Sequence, residues 1–495
     1  MKMDFLVTAA TVLAILAASC SGGKTPQPGP VPGPGQGSKD DFSAFSGMSG
    51  GETPRFRHTG YYESTAPTGA DSCTVDWTVA RFPVNMCVYT SGDTQWVAYY
   101  NPNHQMTVAQ RQLPQGPWRY CVLDEQVKWD SHNAITMIRD SKGVLHISGN
   151  MHASALVFFE TDESGDVSTL HRVKSLTGAD EVHVTYPRFI RLKDGRILFH
   201  YRTGRSGDGN EIYNVLGDDG RWSRYLDQPL TLGRDAAGTT MNAYMLDPVT
   251  DASGNYHVIW VWRNTGDCSS NHDLSHAWSP DLKNWYSQSG KAVQLPISVD
   301  NKDLIVDDAP VKGGMLNGGQ KIGFDAQDRP MIAYYKYSED GNSNFYLARW
   351  EDGSWKKVQI TDSGWRWDFN GGGTIITQMN VGTPVQEPGG EITVVCTRFY
   401  PERGAKVSRE YWLDGTTLEV LREESVRSAA ARWPSWVGKL QTVTDASISV
   451  RRTEDAGDGG YILRWESMDS NRDTMRTVPP LCDSSRLMVV KTFDK

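Results

Sequence analysis

Apolar and polar positions alternate along most of this chain in short runs, and no segment carries the 3.6-residue period of a long amphipathic helix. What recurs is a β-run, a turn rich in Asp and Gly, a second β-run, and an irregular stretch that often holds Trp. The pattern is read in "VNMCVYTSGDTQWVAYYN" from Val84, "NAITMIRDSKGVLHISGN" from Asn133, "YPRFIRLKDGRILFHYR" from Tyr186 and "NAYMLDPVTDASGNYHVIWVWR" from Asn242. It continues in "NGGQKIGFDAQDRPMIAYYK" from Asn317, "GTIITQMNVGTPVQEPGGEITVVCTRFY" from Gly373 and a degenerate seventh unit from about Ser435. Units spaced by about 45–75 residues suit four-stranded blades with variable outer loops, so the expected fold is all-β, a seven-bladed β-propeller. Two stacked β-sandwiches are the alternative, because strand periodicity alone does not fix closure.

Hairpin geometry makes the side-chain pairing calculable, since residues equidistant from a turn centre face each other with Cβ atoms about 5 Å apart. The turn Asp140–Gly143 sets His132 opposite His152 at the open end of its hairpin. The turn Lys193–Gly195 does the same for Tyr186 and Arg202. The turn Asp251–Gly254 brings Tyr244 to Arg263 one or two residues out of register, as a bulge would allow. Asn317 and Lys336 form a weaker fifth-unit pair. If these hairpins are the inner strands of successive blades, their open ends converge on one face. His132, His152, Tyr186, Arg202 and Tyr244 are then the expected catalytic set, with Asn133, Arg263 and Lys336 expected to bind substrate; His146 is mid-strand and drops out.

Arg, His and Tyr without a convergent pair of carboxylates is not the usual equipment for glycoside hydrolysis. It suits β-elimination at a uronic acid. There the C5 proton becomes removable once a cation neutralises the adjacent carboxylate; a base takes that proton, and an acid protonates the departing O4.

The ends and the composition narrow the setting. Met1–Ser19 reads as a secretory signal, with Lys2 before an apolar run from Phe5 to Leu16 that is too short to span a bilayer. "LAASC" resembles a lipoprotein lipobox with Cys20 as the lipidated residue. Residues 20–50 include "SGGKTPQPGPVPGPGQGS", a composition that cannot bury a core and reads as a tether. The expected organisation is therefore signal 1–19, tether 20–50 and propeller 51–495, an exported outer-membrane lipoprotein that meets the membrane only through its lipid. A net charge of −9 argues against nucleic acid or an anionic surface as partner. Seventeen Trp and 20 Tyr suit a strand-rich fold and a carbohydrate-facing cleft. Cys73, Cys87, Cys121, Cys268, Cys396 and Cys482 show no CxxC spacing, and the sequence does not pair them. For a metal, Cys268, His272 and His276 with His200 from the preceding unit form the one candidate set, although the spacing is not that of a zinc finger.

The stretches "WDSHNAITMIRDSKGVLHISGNMH", "VTYPRFIRLKDGRILFHYRTGRSGDG", "NAYMLD", "HVIWVWRN" and "NHDLSHAWSPDLKNW" resemble the BNR-repeat-containing family. Its members include seven-bladed propeller ulvan lyases and related rhamnose–glucuronate lyases and hydrolases, and the resemblance covers about residues 60 to 440. It implies a lyase acting on an anionic, uronate-containing glycan, with His132 and His152 at the catalytic centre and Arg202 as carboxylate neutraliser. Tyr186 and Tyr244 are the implied acid or base; the choice of base among His132, Tyr186 and Tyr244 stays open. It implies no catalytic cofactor, a structural Zn or Ca ion at most, and a monomer. The alternatives are a hydrolase releasing rhamnose from glucuronate through a single histidine, and a non-catalytic glycan-binding propeller. For the hydrolase, the early candidates His58 and His104 lie in no matching motif.

Overall fold

The computed structural model describes residues 59–64, 68–426, 448–478 and 481–492. The signal, the tether, Cys20 and His58 lie outside them. Among the described residues the strands form seven separate antiparallel sheets. The first sheet begins with the hairpin Cys87–Ser91/Thr94–Tyr100, and the second with Thr136–Arg139/Leu145–Ser148. The third is built on Val184–Arg191/Ile197–Arg205 and the fourth on Asn242–Met245/Tyr256–Arg263. Lys321–Phe324/Pro330–Tyr337 starts the fifth, and Met379–Val381/Ile392–Tyr400 the sixth. The six hairpins expected up to residue 400 are therefore all present.

The last sheet pairs Ile448–Glu454, Tyr461–Met468 and Ser484–Lys491 with a strand from the other end of the chain, Ser72–Val79. Neighbouring sheets pack against one another. Cys87–Ser91 touches Thr136–Arg139, which touches Val184–Arg191, and on the other side Cys87–Ser91 touches Tyr461–Met468 of the last sheet. The described residues belong to one compact unit. Among the described residues no helix is long and apolar enough to cross a membrane, and no disulfide joins the six cysteines.

Second strands lie between two neighbouring sheets and are buried on both faces, so they read as nearly continuous apolar runs such as "HVIWVW". Their parity assigns each side chain to a neighbour. In Ile197–Arg205, Phe199 and Tyr201 join the apolar cluster of the first two sheets, while Leu198 packs with Trp260 and Trp262 of the fourth. Arg202 shares the parity of Leu198 and so faces the fourth sheet. In Tyr256–Arg263, Ile259 and Val261 pack with Ile332 and Tyr334 of the fifth sheet, and Arg263 shares their side. Lys336 has the parity of Ile332 and Tyr334, which turns it back toward the fourth sheet.

Candidate functional site

Asp130 organises the two histidines. Its Oδ1 accepts from the Nδ1 of His132 at 2.7 Å and from the His132 backbone N–H at 2.9 Å, and its Oδ2 accepts from His152 Nδ1 at 2.5 Å. The two rings stack with centroids 4.0 Å apart and planes inclined by 23°. A carboxylate only accepts, so each imidazole places its proton on Nδ1 and leaves Nε2 as an acceptor. Burial raises the Asp130 carboxyl, but the hydrogen bonds and charge of His132 and His152 outweigh it and hold the group well below the usual carboxylate range.

The register predicted for this hairpin holds: Thr136 pairs Ser148 and Ile138 pairs His146. The ladder stops there. His132 stands in the approach turn, and His152 opens a short strand, His152–Ser154, that pairs with the third sheet through Thr185. The two imidazoles meet where their strands have already diverged.

Tyr186 does not pair with Arg202. The register shifts between Thr185 and Arg188, so Arg202 faces Thr185 and Tyr186 is bulged out at φ 57° just before Pro187. A left-handed non-glycine residue costs about 1–3 kcal/mol and persists where its surroundings over-determine it. The bulge aims the ring inward, 5.8 Å from His132 and 6.2 Å from Tyr244 between centroids. Burial, reinforced by the neighbouring Tyr244, pushes its phenol up against the lowering effect of Arg202 and Arg263.

Arg202 is 1% exposed and stacks on both tyrosines, its guanidinium carbon 5.1 Å from the Tyr186 ring and 5.6 Å from that of Tyr244. One terminal nitrogen donates to Thr185 Oγ1 at 3.1 Å, an oxygen that also accepts from the Ala153 N–H at 2.8 Å. Nε and Nη1 have no hydrogen-bond partner within the protein. Tyr244 and Arg263 stand two residues out of register, within the offset expected, Arg263 pairing Asn242. Even so, Arg263 Nη1 donates to the Tyr244 hydroxyl at 3.2 Å, and Ser206 Oγ lies 2.6 Å from that hydroxyl. Arg263 is itself fixed by the carbonyls of Thr265 and Gly266 and by Asn317 Oδ1. Beside the two tyrosines lies a cavity of about 190 Å³ that Arg188, His200, Glu211 and Asn317 also line.

The remaining expected residues lie elsewhere. Lys336 is spent on the wholly buried carboxylate of Asp307 at 2.8 Å, because its parity points it at the preceding sheet. Asn133 is buried and structural: its side chain donates to the Asp130 carbonyl, and its own carbonyl accepts from Tyr100. The metal set does not assemble. A bulge at Asp273 puts His272 opposite Trp262 and His276 opposite Ile259, positions of opposite parity. His272 binds Asn264 and Asp273, His276 binds His257, and His200 pairs with Glu211. Cys268 packs in an apolar cluster with Tyr335 and Trp367. His104, considered for hydrolysis, is packed edge-on against Trp129. Among the described residues, the group that could hold a metal is instead Asp130, His132 and His152.

Asp130 stands two residues before His132, so an acid in local hydrogen-bond reach of a candidate histidine is the sequence signal for it. Asp473, whose Oδ2 lies 3.4 Å from His132 Nδ1, had no local signal at all.

A model of the BNR repeat-containing family matches residues 94–363, the segment that supplies every one of these side chains except Asp473. The chain belongs to the BNR repeat-containing family. Among solved structures, this BNR-repeat protein resembles the crystal structure of the polysaccharide lyase Uly1, with 14% identity, 83% of this chain and 90% of that chain covered, and a TM-score of 0.53. It also resembles an ulvan lyase of polysaccharide lyase family 25, at 15% identity over 87% of this chain and 96% of that one, TM-score 0.52. The same ulvan lyase bound to -[GlcA(1-4)Rha3S]- aligns at 14% identity with a TM-score of 0.53. These likenesses show a polysaccharide lyase-like propeller fold. No curated protein sequence matches the chain.

Proposed function

We propose that this protein is a polysaccharide lyase that cleaves a glucuronate-containing glycan by β-elimination, on a propeller of seven blades whose last blade is closed by Ser72–Val79. The observation that carries the reading is Arg202: a buried guanidinium with two donors unmatched by the protein, beside two imidazoles whose Nε2 atoms are left as acceptors. Binding the substrate carboxylate to those donors neutralises it and makes the C5 proton removable. A histidine Nε2 takes that proton, the electron pair forms the C4–C5 double bond, and the C4–O4 bond breaks. Tyr186, whose phenol burial keeps protonated, supplies the proton to O4. Arg263 and Ser206 hold Tyr244 as the second wall of the site.

The likeness to an ulvan lyase bound to a glucuronate–rhamnose repeat supports a rhamnose–glucuronate glycan as substrate. The lipobox supports an exported lipoprotein anchored through Cys20; the reading takes it as a monomer that needs no catalytic cofactor. The deciding experiment incubates the protein with a panel of uronate glycans that includes rhamnose–glucuronate polymers. Ultraviolet absorbance of a 4,5-unsaturated uronate should rise with each new chain end. New reducing ends without that absorbance would establish hydrolysis, and binding without release a glycan-binding protein.

A further inference from the structure

His132 meets a second carboxylate from a distant part of the chain. Asp473 lies between Tyr461–Met468 and Ser484–Lys491, outside the segment that the family model matches. Its Oδ1 accepts from the backbone N–H and hydroxyl of Ser131, at 3.2 and 2.8 Å. Its Oδ2 accepts from the Thr374 N–H at 2.7 Å and lies 3.4 Å from His132 Nδ1. Ser131 Oγ also donates to Thr374 Oγ1 at 2.8 Å. Three segments far apart in sequence thus meet at one carboxylate, beside the imidazole that the lyase reading uses.

Asp473 and its predecessor Arg472 both adopt left-handed backbone, at φ 58° and 52°. Arg472 does not neutralise Asp473; its guanidinium donates to the carbonyls of Asn370 and Gly372. The partners of Asp473 are otherwise neutral donors, so its one ionisable partner among the described residues is His132. The groups facing His132 are Asp130, Asp473, the stacked His152 and the Tyr186 ring, with the Arg202 guanidinium over that ring. His152 has Asp130 alone. The two imidazoles are therefore inequivalent.

We infer that Asp473 is a positioning residue of the same site: a second carboxylate that fixes the His132 ring and distinguishes it electrostatically from His152. The Nδ1–H of His132 is held by Asp130, and the Asp473 carboxylate, 3.4 Å from the same nitrogen, sets a second negative charge beside that ring. This rests on the lyase reading for its kinetic test only.

The test compares Asp473→Asn, Asp473→Glu and Thr374→Val in the full chain. Thr374→Val keeps the backbone donor and the Asp473 charge while removing one hydroxyl. Asp473→Asn should lower kcat about tenfold, less than the about 10²–10⁴ expected of the base itself, with KM within about twofold. Asp473→Glu should recover part of the rate, and Thr374→Val should stay close to the parent. In histidine-selective NMR, the His132 ring resonances should shift in Asp473→Asn and stay in place in Thr374→Val. Unmoved His132 resonances overturn the inference, as does a rate loss shared by Thr374→Val and tracking a fall in melting temperature. If the parent protein lacks lyase activity, the proposed function fails while the NMR spectra still decide the role of Asp473.

Discussion

Replacing Arg202 by Met separates a catalytic guanidinium from a structural one. The substitution removes a charge-assisted hydrogen bond to Thr185, worth about 1.5–3 kcal/mol. It also removes two ring contacts, at 5.1 and 5.6 Å, worth about 0.5–2 kcal/mol each. Against this loss, Nε and Nη1 are buried without protein partners, and each such donor costs about 1–3 kcal/mol. The two sides are of the same size, so unfolding free energy measured by denaturant titration should change by less than about 2 kcal/mol. Activity should not be spared. Losing the group that stabilises the developing charge costs about 10²–10³ in kcat. The assay is unsaturated-uronate release beside the denaturation curve on the same preparations. A variant that unfolds, or whose stability falls by more than about 4 kcal/mol, would make Arg202 a core residue. A stable variant that keeps its rate would remove the carboxylate-neutralising role altogether.

Asp130→Asn presents an amide in place of a two-sided acceptor, so one imidazole loses its Nδ1–H acceptor and its tautomer; turnover should fall by about 10²-fold or more with the fold retained. Because the Asp130 carboxyl sits below its unfolded value, its stabilisation is complete above about pH 4 and is lost as pH falls toward the folded value. The difference in melting temperature between parent and Asp130→Asn should therefore narrow in that acid range, and a constant difference would count against the ion pair. His276 is buried with Nδ1 unpartnered, and burial pulls its imidazole well below the ordinary value. The unfolded chain then takes up the proton first, so stability should fall as pH drops below about 6.5. His276→Gln, which keeps a donor toward His257, should flatten that slope; melting curves from pH 7.5 to 5 would show it.

How much was legible in the sequence depended on whether strands stayed regular. Distance from the turn centre gave the correct register for Thr136–Arg139 with Leu145–Ser148, where no bulge intervenes. It missed by one residue at Tyr186, where a left-handed residue interrupts the ladder, and its offset for Tyr244 and Arg263 was the one found. The side chains converged regardless, because bulging re-aims a residue without moving it far from the end of its strand. Parity was less forgiving. Counting backward from the turn would have shown that Lys336 faces the opposite neighbour from Arg202 and Arg263. The bulge at Asp273, which separates His272 from His276, left no mark in the sequence. Asp130 was readable in "WDSH", whereas Asp473 reaches Ser131 only across some 340 intervening residues.

The strand Ser72–Val79 lies in the last sheet, hydrogen-bonded to Ser484–Lys491. A growing chain therefore holds that early strand without its mate until almost its final residues have been made. Asp473 arrives in the same closing piece. Pairing Ser72–Val79 and completing the surroundings of His132 thus await the same late segment, so a chain cut before it would lack both at once, and under the lyase reading such copies would be silent rather than partly active.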